Sequence, residues 1–234
     1  MTDAVRFWAV IPAAGTGTRM QTDLPKQYLC INGRRVIEYS LETFCTHPQI
    51  AGVVVALAEG DKIWEGLSFA HHPKVRTVPG GNVRCHSVLN CLHDLSTVAA
   101  AEDWVLVHDA ARPCISREDI DQMIAILRDH PVGGLLALLV RDTMKRADIG
   151  QGSGLHVSET VNRQGLWHAL TPQMFRLGRL TQVLEQAIQQ GELVTDESQA
   201  MELAGFRPRL VEGRAENIKI TRPSDLKLAE WYLS

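Results

Sequence analysis

Five short apolar runs at residues 7–11, 53–57, 75–78, 104–107 and 135–140 are interleaved with helix-patterned segments at 36–44, 83–95 and 118–127. This alternation limits the chain to few architectures. Parallel strands need a crossover, and a crossover helix needs a sheet face to bury against, so the pattern predicts an α/β fold: a mostly parallel sheet with helices on both faces. Beyond these come an extended piece through 166–174, helices near 180–190 and around 196–203, short strands at 209–211 and 218–220, and a closing helix from Ser224. The chain has 234 residues, 45% of them hydrophobic and 22% charged, enough to bury a core as one domain over 1–234. In such sheets ligands bind beyond the carboxyl ends of the strands, so motifs directly following a strand are where chemistry is expected.

The first such motif is A-V-I-P-A-A-G-T-G-T-R-M, followed by Pro25 and Lys26. Ala13, Ala14, Gly15 and Gly17 put no bulky side chain between the backbone amides and an anion, and Arg19 and Lys26 add fixed positive charge. A triphosphate suits such a loop; a merely tight connection is the bland alternative. A dinucleotide fingerprint would need a small residue where Met20 stands, and a P-loop would need Gly-Lys-Ser/Thr. The stretch resembles instead the signature loop of sugar-phosphate nucleotidyltransferases.

Three further stretches carry polar groups suited to chemistry. W-V-L-V-H-D-A-A-R-P ends a buried strand with His108 and Asp109, and an acidic residue there is placed to hold Mg²⁺ on phosphates, directly or through water. The alternative is that Asp109 pairs with Arg112 or caps a turn; His108 belongs to the core end of the strand. In P-G-G-N-V-R-C-H-S, the Gly80-Gly81 amides with Asn82 and Ser87 offer donors and acceptors for a base edge, or Asn82 simply caps the helix. In N-I-K-I-T, period-2 alternation puts Lys219 opposite its isoleucine neighbours, which by itself describes an exposed edge lysine.

One stretch breaks the alternation. Residues 141–162 are polar, with a Gly/Ser-rich tip at 150–154 between two runs able to pair, the pattern of a β-hairpin arm; a flexible surface loop is the alternative. A two-stranded ribbon has little stability alone, so such an arm is expected to pack against something, most simply a second copy of the chain in a homodimer.

Taken together, P-A-A-G-x-G-x-R-M with P-K-Q-Y, G-G-x-x-R-x-x-S-V, V-H-D-A-A-R-P, R-D-T-M-K-R, L-W-H-A-L-T-P-Q and N-I-K-I-T-R-P-x-D-L closely resemble the 2-C-methyl-D-erythritol 4-phosphate cytidylyltransferase family of non-mevalonate isoprenoid biosynthesis. The resemblance spans essentially the whole chain and suggests the single-function form, without a fused cyclase. It implies a Rossmann-like nucleotidyltransferase sheet with a dimerising arm, the substrates CTP and methylerythritol phosphate, and Mg²⁺ as cofactor. By matching position, it implies that Arg19 and Lys26 hold the triphosphate, that Lys219 places the incoming phosphate, and that Arg163 reaches the methylerythritol phosphate across the dimer. Thr143 and Thr171 would line that acceptor pocket, with Asp109 and Arg112 as its polar, metal-side pair. Gly81, Asn82 and Ser87 would contact cytosine, while the backbone from Pro12 through Ala13, Ala14, Gly15 and Gly17, and that of Ala110, would line ribose and phosphates. One departure stands at Asn82, where the family often has aspartate; the loss of charge implies a weaker preference for CTP.

The remaining composition narrows the alternatives. A net charge of -3 gives no general attraction to nucleic acid or an anionic membrane, so a phosphate ligand must rely on local cations. No apolar stretch is long enough to span a membrane, the start M-T-D-A-V-R lacks the order of a signal peptide, and the five cysteines are scattered without a C-x-x-C pair, so a cytoplasmic location with reduced thiols is expected. The nine histidines lack zinc-ligand spacing, His71-His72 included. Three rivals remain. A ribitol 5-phosphate cytidylyltransferase would share the N-terminal half but not Thr143, Arg163 and Thr171; a silent nucleotide-binding module would have no reason to keep the cations; a glycosyltransferase would want an Asp-x-Asp motif that His108-Asp109-Ala110 does not supply.

Overall fold

The structure, a computed structural model, describes residues 5–15, 24–148 and 155–234. Strand β1 (Phe7–Pro12) is followed by a small hairpin, β2 (Cys30–Ile31) and β3 (Arg34–Arg35), and by α1 (Val36–Thr46), β4 (Ile50–Leu57) and β5 (Val75–Pro79). Then come α2 (Arg84–Leu95), β6 (Trp104–Val107), α3 (Arg117–Leu127) and β7 (Gly133–Leu139). The arm follows as β8 (Met144–Asp148) and β9 (His156–Val161), and the chain closes with β10 (Trp167–Arg176), α4 (Leu177–Gln189), α5 (Glu197–Leu203), β11 (Arg209–Glu212) and α6 (Pro223–Tyr232).

Seven strands form the main sheet in the order β11-β7-β10-β6-β1-β4-β5, and every pairing is parallel except the two that β10 makes with β6 and β7. Both faces are covered. Phe7, Ala9 and Ile11 of β1 pack into a core with α1 and α3, while Trp8 and Val10 enter a second core with α2, α4 and α5. That double burial is why β1 and β6 read as continuous apolar runs rather than alternating ones. Each large side chain so buried contributes about 1.5–3 kcal/mol, which makes the centre of the sheet a rigid base for the loops that leave it.

The chain runs from β1 outward to β4 and β5, then returns to place β6 on the other side of β1. The loops after β1 and β6 therefore diverge, opening the crevice in which doubly wound sheets bind ligands. α1 and α3 begin with polar devices that fix their entry angles: Glu38 accepts the Arg35 amide at 3.0 Å, and Ser116 and Asp119 form a capping box.

Two sequence expectations change. The extended piece at 166–174 is a ten-residue strand, β10, inserted antiparallel between β6 and β7. Its ladder with β7 is interrupted between Ala169 and Gln173, so Leu170 to Pro172 leave the regular register and Thr171 turns beneath the β6 loop. The expected strand at 218–220 pairs with no strand among the described residues: Ile220 N–H donates to Ala111 O at 2.8 Å, a backbone cross-link to a loop. The expected alternation still holds there, with Ile220 buried and Lys219 partly exposed. β8 and β9 pair antiparallel from Met144↔Val161 to Asp148↔His156, giving the hairpin; its expected tip at 150–154 lies outside the described residues.

Candidate active site

A cavity of about 430 Å³ occupies the crevice. Pro12 to Gly15 form one wall, Gly81 to Arg84 with Ser87 the opposite wall, and Asp109 to Ala111 with Lys219 the end; Lys26 and Gln27 close the side. All the sequence-expected nucleotide residues within the described part of the chain therefore meet in one place. Gly17 and Arg19 lie outside the described residues.

The loop after β1 is held by its ends. Ala13 donates its N–H to Ala56 O at 2.8 Å, extending the β1–β4 ladder, and its carbonyl accepts from Gln27 Nε2 at 2.6 Å. The same Gln27 nitrogen reaches Gly15 O at 3.2 Å. Ala13 is thus an anchor with both backbone groups engaged. Gln27, which the motif reading passed over, turns two carbonyl dipoles of the phosphate loop toward itself and so away from an anion. A Gln27→Glu substitution keeps the shape but sets a carboxylate against two carbonyl oxygens. For the CTP site that the resemblance implies, it is expected to raise KM for the nucleotide at least ~10-fold, about 1.4 kcal/mol, with KM for the second substrate unchanged, as read from steady-state kinetics; an unchanged nucleotide value would remove Gln27 from the loop's function.

The opposite wall is also braced internally. Gly81 N–H donates to Ser87 Oγ at 3.0 Å, and a Cβ on Gly80 would overlap that of Ala14, so the two loops approach only because Gly80 lacks a side chain. Asn82 is not the helix cap: the N-cap position of α2 is Val83, with no side-chain cap hydrogen bond, which leaves Asn82 on the cavity wall.

Asp109 is the centre of the charged end. Its Oδ2 accepts from Lys219 Nζ at 2.8 Å, its Oδ1 from Arg84 Nε at 3.1 Å, and Arg112 Nε lies 3.5 Å from Oδ2. Burial alone would raise the Asp109 pKa, but Arg84, Lys219 and Arg112 together hold it well below the usual carboxylate range. Of the two sequence alternatives for Asp109, the structure shows the pairing with Arg112, and it places the carboxylate on the cavity wall. Lys26 Nζ donates to Ile220 O at 3.2 Å, tying the end of the first loop to the segment that carries Lys219.

Beneath Asp109 runs a hydrogen-bond relay. Asp109 N–H donates to Thr171 Oγ1 at 3.1 Å, the Thr171 hydroxyl lies 3.1 Å from His108 Nδ1, and His108 Nε2 lies 3.0 Å from Arg112 O. A carbonyl only accepts, so Nε2 carries the proton, Nδ1 accepts from Thr171, and the threonine oxygen accepts from Asp109. Burial keeps the ring neutral, with its pKa lowered to about 4. His108 is a core residue, as expected, that also fixes both ends of the 108–112 turn.

Two further cavities adjoin. One of about 160 Å³ is bounded by Arg84, Asp109, Arg112, Thr171 and Lys219, and one of about 420 Å³ by Arg112, His168, Asn217, Lys219 and Leu228. Lys219 borders all three cavities. Arg112 is held by donating to Asn217 O at 2.8 Å, and Asn217 in turn donates to Thr171 O at 2.8 Å. Thr143 and Arg163, at the two roots of the arm, are exposed and border none of these cavities within their own chain. Arg84 and Glu197 were missed as site residues: Glu197 accepts from Arg84 Nη1 at 2.6 Å and from Nη2 at 3.1 Å. Among the described residues no group of three or more His, Cys, Asp or Glu side chains is placed to hold a metal, and no helix is long and apolar enough to cross a membrane.

A doubly wound sheet with a glycine-lined crevice and convergent cations at its carboxyl edge is the architecture of a nucleotidyltransferase, a class of enzyme. The comparisons with known proteins agree. Residues 7–234 match the family model for IspD, 2-C-methyl-D-erythritol 4-phosphate cytidylyltransferase. The protein of that name from Vibrio parahaemolyticus is 54% identical, covering 97% of this chain and 94% of its own, and that from Pseudomonas putida strain GB-1 is 53% identical over 96% and 93%. The crystal structure of the Francisella tularensis protein superposes with a TM-score of 0.83 at 34% identity, covering 97% of this chain and 99% of that one. For the Thermus thermophilus structure the TM-score is 0.76 at 31% identity, over 97% and 98%. The chain belongs to the 2-C-methyl-D-erythritol 4-phosphate cytidylyltransferase family.

Proposed function

We propose that this chain joins CTP to 2-C-methyl-D-erythritol 4-phosphate, forming 4-diphosphocytidyl-2-C-methyl-D-erythritol and pyrophosphate. The observation that carries the reading is the Asp109–Lys219 pair, both members of which border a nucleotide-sized cavity and the smaller adjoining one, with Lys219 bordering the third as well. An oxygen of the acceptor phosphate attacks the α-phosphorus of CTP; the new P–O bond forms as the bond to the β-phosphate breaks, and its electron pair leaves on pyrophosphate. A phosphomonoester is already mostly ionised at neutral pH, so no strong general base is needed, and the work is alignment and charge stabilisation.

The phosphate-loop backbone receives the triphosphate beside Lys26, while Gly81, Asn82 and Ser87 face the base. Lys219 neutralises charge on the phosphate oxygens where the two substrates meet, with Arg112 and Thr171 on the acceptor side. Arg19, from the same loop, supplies a further cation. Among the described residues Asp109 is the one carboxylate lining the nucleotide cavity, and it fits Mg²⁺, which binds through one or two carboxylates with the rest of its shell from phosphates and water. Asp109 would hold the ion, which when bound neutralises the triphosphate and polarises the α-phosphate.

The chain works as one domain over 1–234, with 141–162 as a protruding arm. Thr143 and Arg163, which the resemblance assigns to the acceptor pocket, stand apart from the cavities of their own chain, and this supports a cytoplasmic homodimer in which they complete the pocket of a second copy. On this reading Arg163→Ala raises KM for the acceptor by about tenfold or more, the cost of one charge-assisted contact, and leaves CTP binding intact. A primary effect on CTP in the same kinetic assay would contradict the assignment.

The reading is tested by pyrophosphate release from purified protein with Mg²⁺ and CTP. Release with methylerythritol phosphate, and not with ribitol 5-phosphate or without acceptor, is the expected result. Release with ribitol 5-phosphate alone would assign a different acceptor, and no release at all would make the chain a binding module.

A further inference from the structure

Glu197 is a fully buried carboxylate that none of the steps above uses. It sits in the first turn of α5, 1% exposed, far in sequence from every motif around the cavity. Its position is fixed from two directions. Ser198 N–H donates to Gln173 Oε1 at 2.8 Å and Gln173 Nε2 donates to Asp196 Oδ2 at 3.0 Å, which docks the start of α5 onto β10. Glu197 then takes both terminal nitrogens of Arg84, at 2.6 and 3.1 Å, and leaves Nε directed at Asp109 Oδ1, 3.1 Å away.

Arg84 has a choice that this contact removes. It opens α2 on the wall of the nucleotide cavity, on a long flexible stem, and a triphosphate is the strongest anion it would meet there. A guanidinium drawn to the phosphates would abandon Asp109 Oδ1, free that carboxylate to rotate, and shift Lys219, whose ammonium rests on the other oxygen at 2.8 Å. A bidentate carboxylate contact is the arrangement that locks a guanidinium in one plane, and outer groups of this kind commonly set the aim of the inner ones.

We propose that Glu197 is a positioning residue for the transfer reaction: by clamping Arg84 edge-on to Asp109 it fixes the Asp109–Lys219 pair at the junction of the cavities. The inference rests on the cytidylyltransferase reading above. It separates Glu197 from a plain tether between α5 and α2, which would contribute to stability alone.

The test is steady-state kinetics of pyrophosphate release by the full-length protein, with thermal melts alongside. Glu197→Gln keeps the volume but turns an amide NH₂ toward the guanidinium, and it is expected to lower kcat by about tenfold or more while KM for CTP changes less than threefold. Arg84→Lys keeps the charge but cannot span two carboxylates, and the same kcat loss is expected; in the double variant the losses should not multiply, because one contact is removed in each case. A folded Glu197→Gln protein with kcat within twofold of wild type, whatever its melting temperature, overturns the proposal, as do losses that multiply or a loss confined to Arg84→Lys. If Glu197→Gln does not fold, Glu197→Asp takes its place, keeping the charge but too short to take both nitrogens: a tenfold loss of kcat supports the clamp and a kcat within twofold overturns it. Wild-type protein that releases no pyrophosphate would instead refute the cytidylyltransferase reading, an outcome the variants cannot mimic.

Discussion

Lys219→Ala is expected to lower kcat by about 10²–10³ with the fold unchanged, the cost of one preorganised charge removed from a developing phosphoryl charge. Lys219 borders the nucleotide cavity and both adjoining ones, and on the proposed reading this is where the phosphates of the two substrates join. Its side chain is 34% exposed, so its ion pair with Asp109 is screened by solvent and contributes little to stability. Removing it leaves Asp109 compensated by Arg84 at 3.1 Å. The melting temperature should therefore move little while turnover collapses. Lys219→Arg should not rescue the rate, because a planar fork on a longer stem cannot occupy the point between two phosphates that an ammonium fills. Turnover within a few-fold of wild type for the alanine variant, measured at saturating substrates, would remove Lys219 from the mechanism.

The contrast between Lys219 and Arg84 shows which parts of this molecule its sequence discloses. Lys219, Asp109 and the first loop lie in compact motifs that follow strands, and strands buried on both faces are legible as unbroken apolar runs; β6 begins and ends where that pattern says. β10 was not legible as a central strand. Its polar middle, with His168, Thr171 and Gln173, interrupts the apolar run, and those residues are polar because they face the site and brace it rather than the core. The segment at 218–220 had the alternation of a strand but no neighbouring strand to pair with, and pairing is a property of the fold, not of a tripeptide. Arg84 and Glu197 are 113 residues apart, Gln27 is an amide with no chemistry of its own, and each acquires meaning only from the group it holds. Thr143 and Arg163 were assigned by resemblance alone; in a single chain both are exposed and border none of the three cavities, so nothing local in the sequence marks them.

Asp109→Asn separates the two tasks given to that carboxylate, because its neighbours predict opposite effects on nucleotide binding with and without Mg²⁺. In the wild-type protein Asp109 neutralises part of the charge on Arg84, Lys219 and Arg112. With asparagine there, three cations converge on a site that holds one negative charge fewer. Breaking a buried ion pair from one side costs about 3–5 kcal/mol, so the free protein should melt lower. CTP without a metal brings a highly charged anion to those unpaired cations, and calorimetry in chelator should find it bound at least as tightly as by wild type, with a larger ligand-induced rise in melting temperature. With Mg²⁺ present the order should reverse, since the variant lacks the protein carboxylate that would hold the ion on the phosphates, and kcat should fall by about 10²–10³. Equal losses of CTP affinity with and without Mg²⁺ would mean that Asp109 serves the nucleotide through geometry alone; a variant with wild-type turnover would mean that neither the pair nor the metal passes through it.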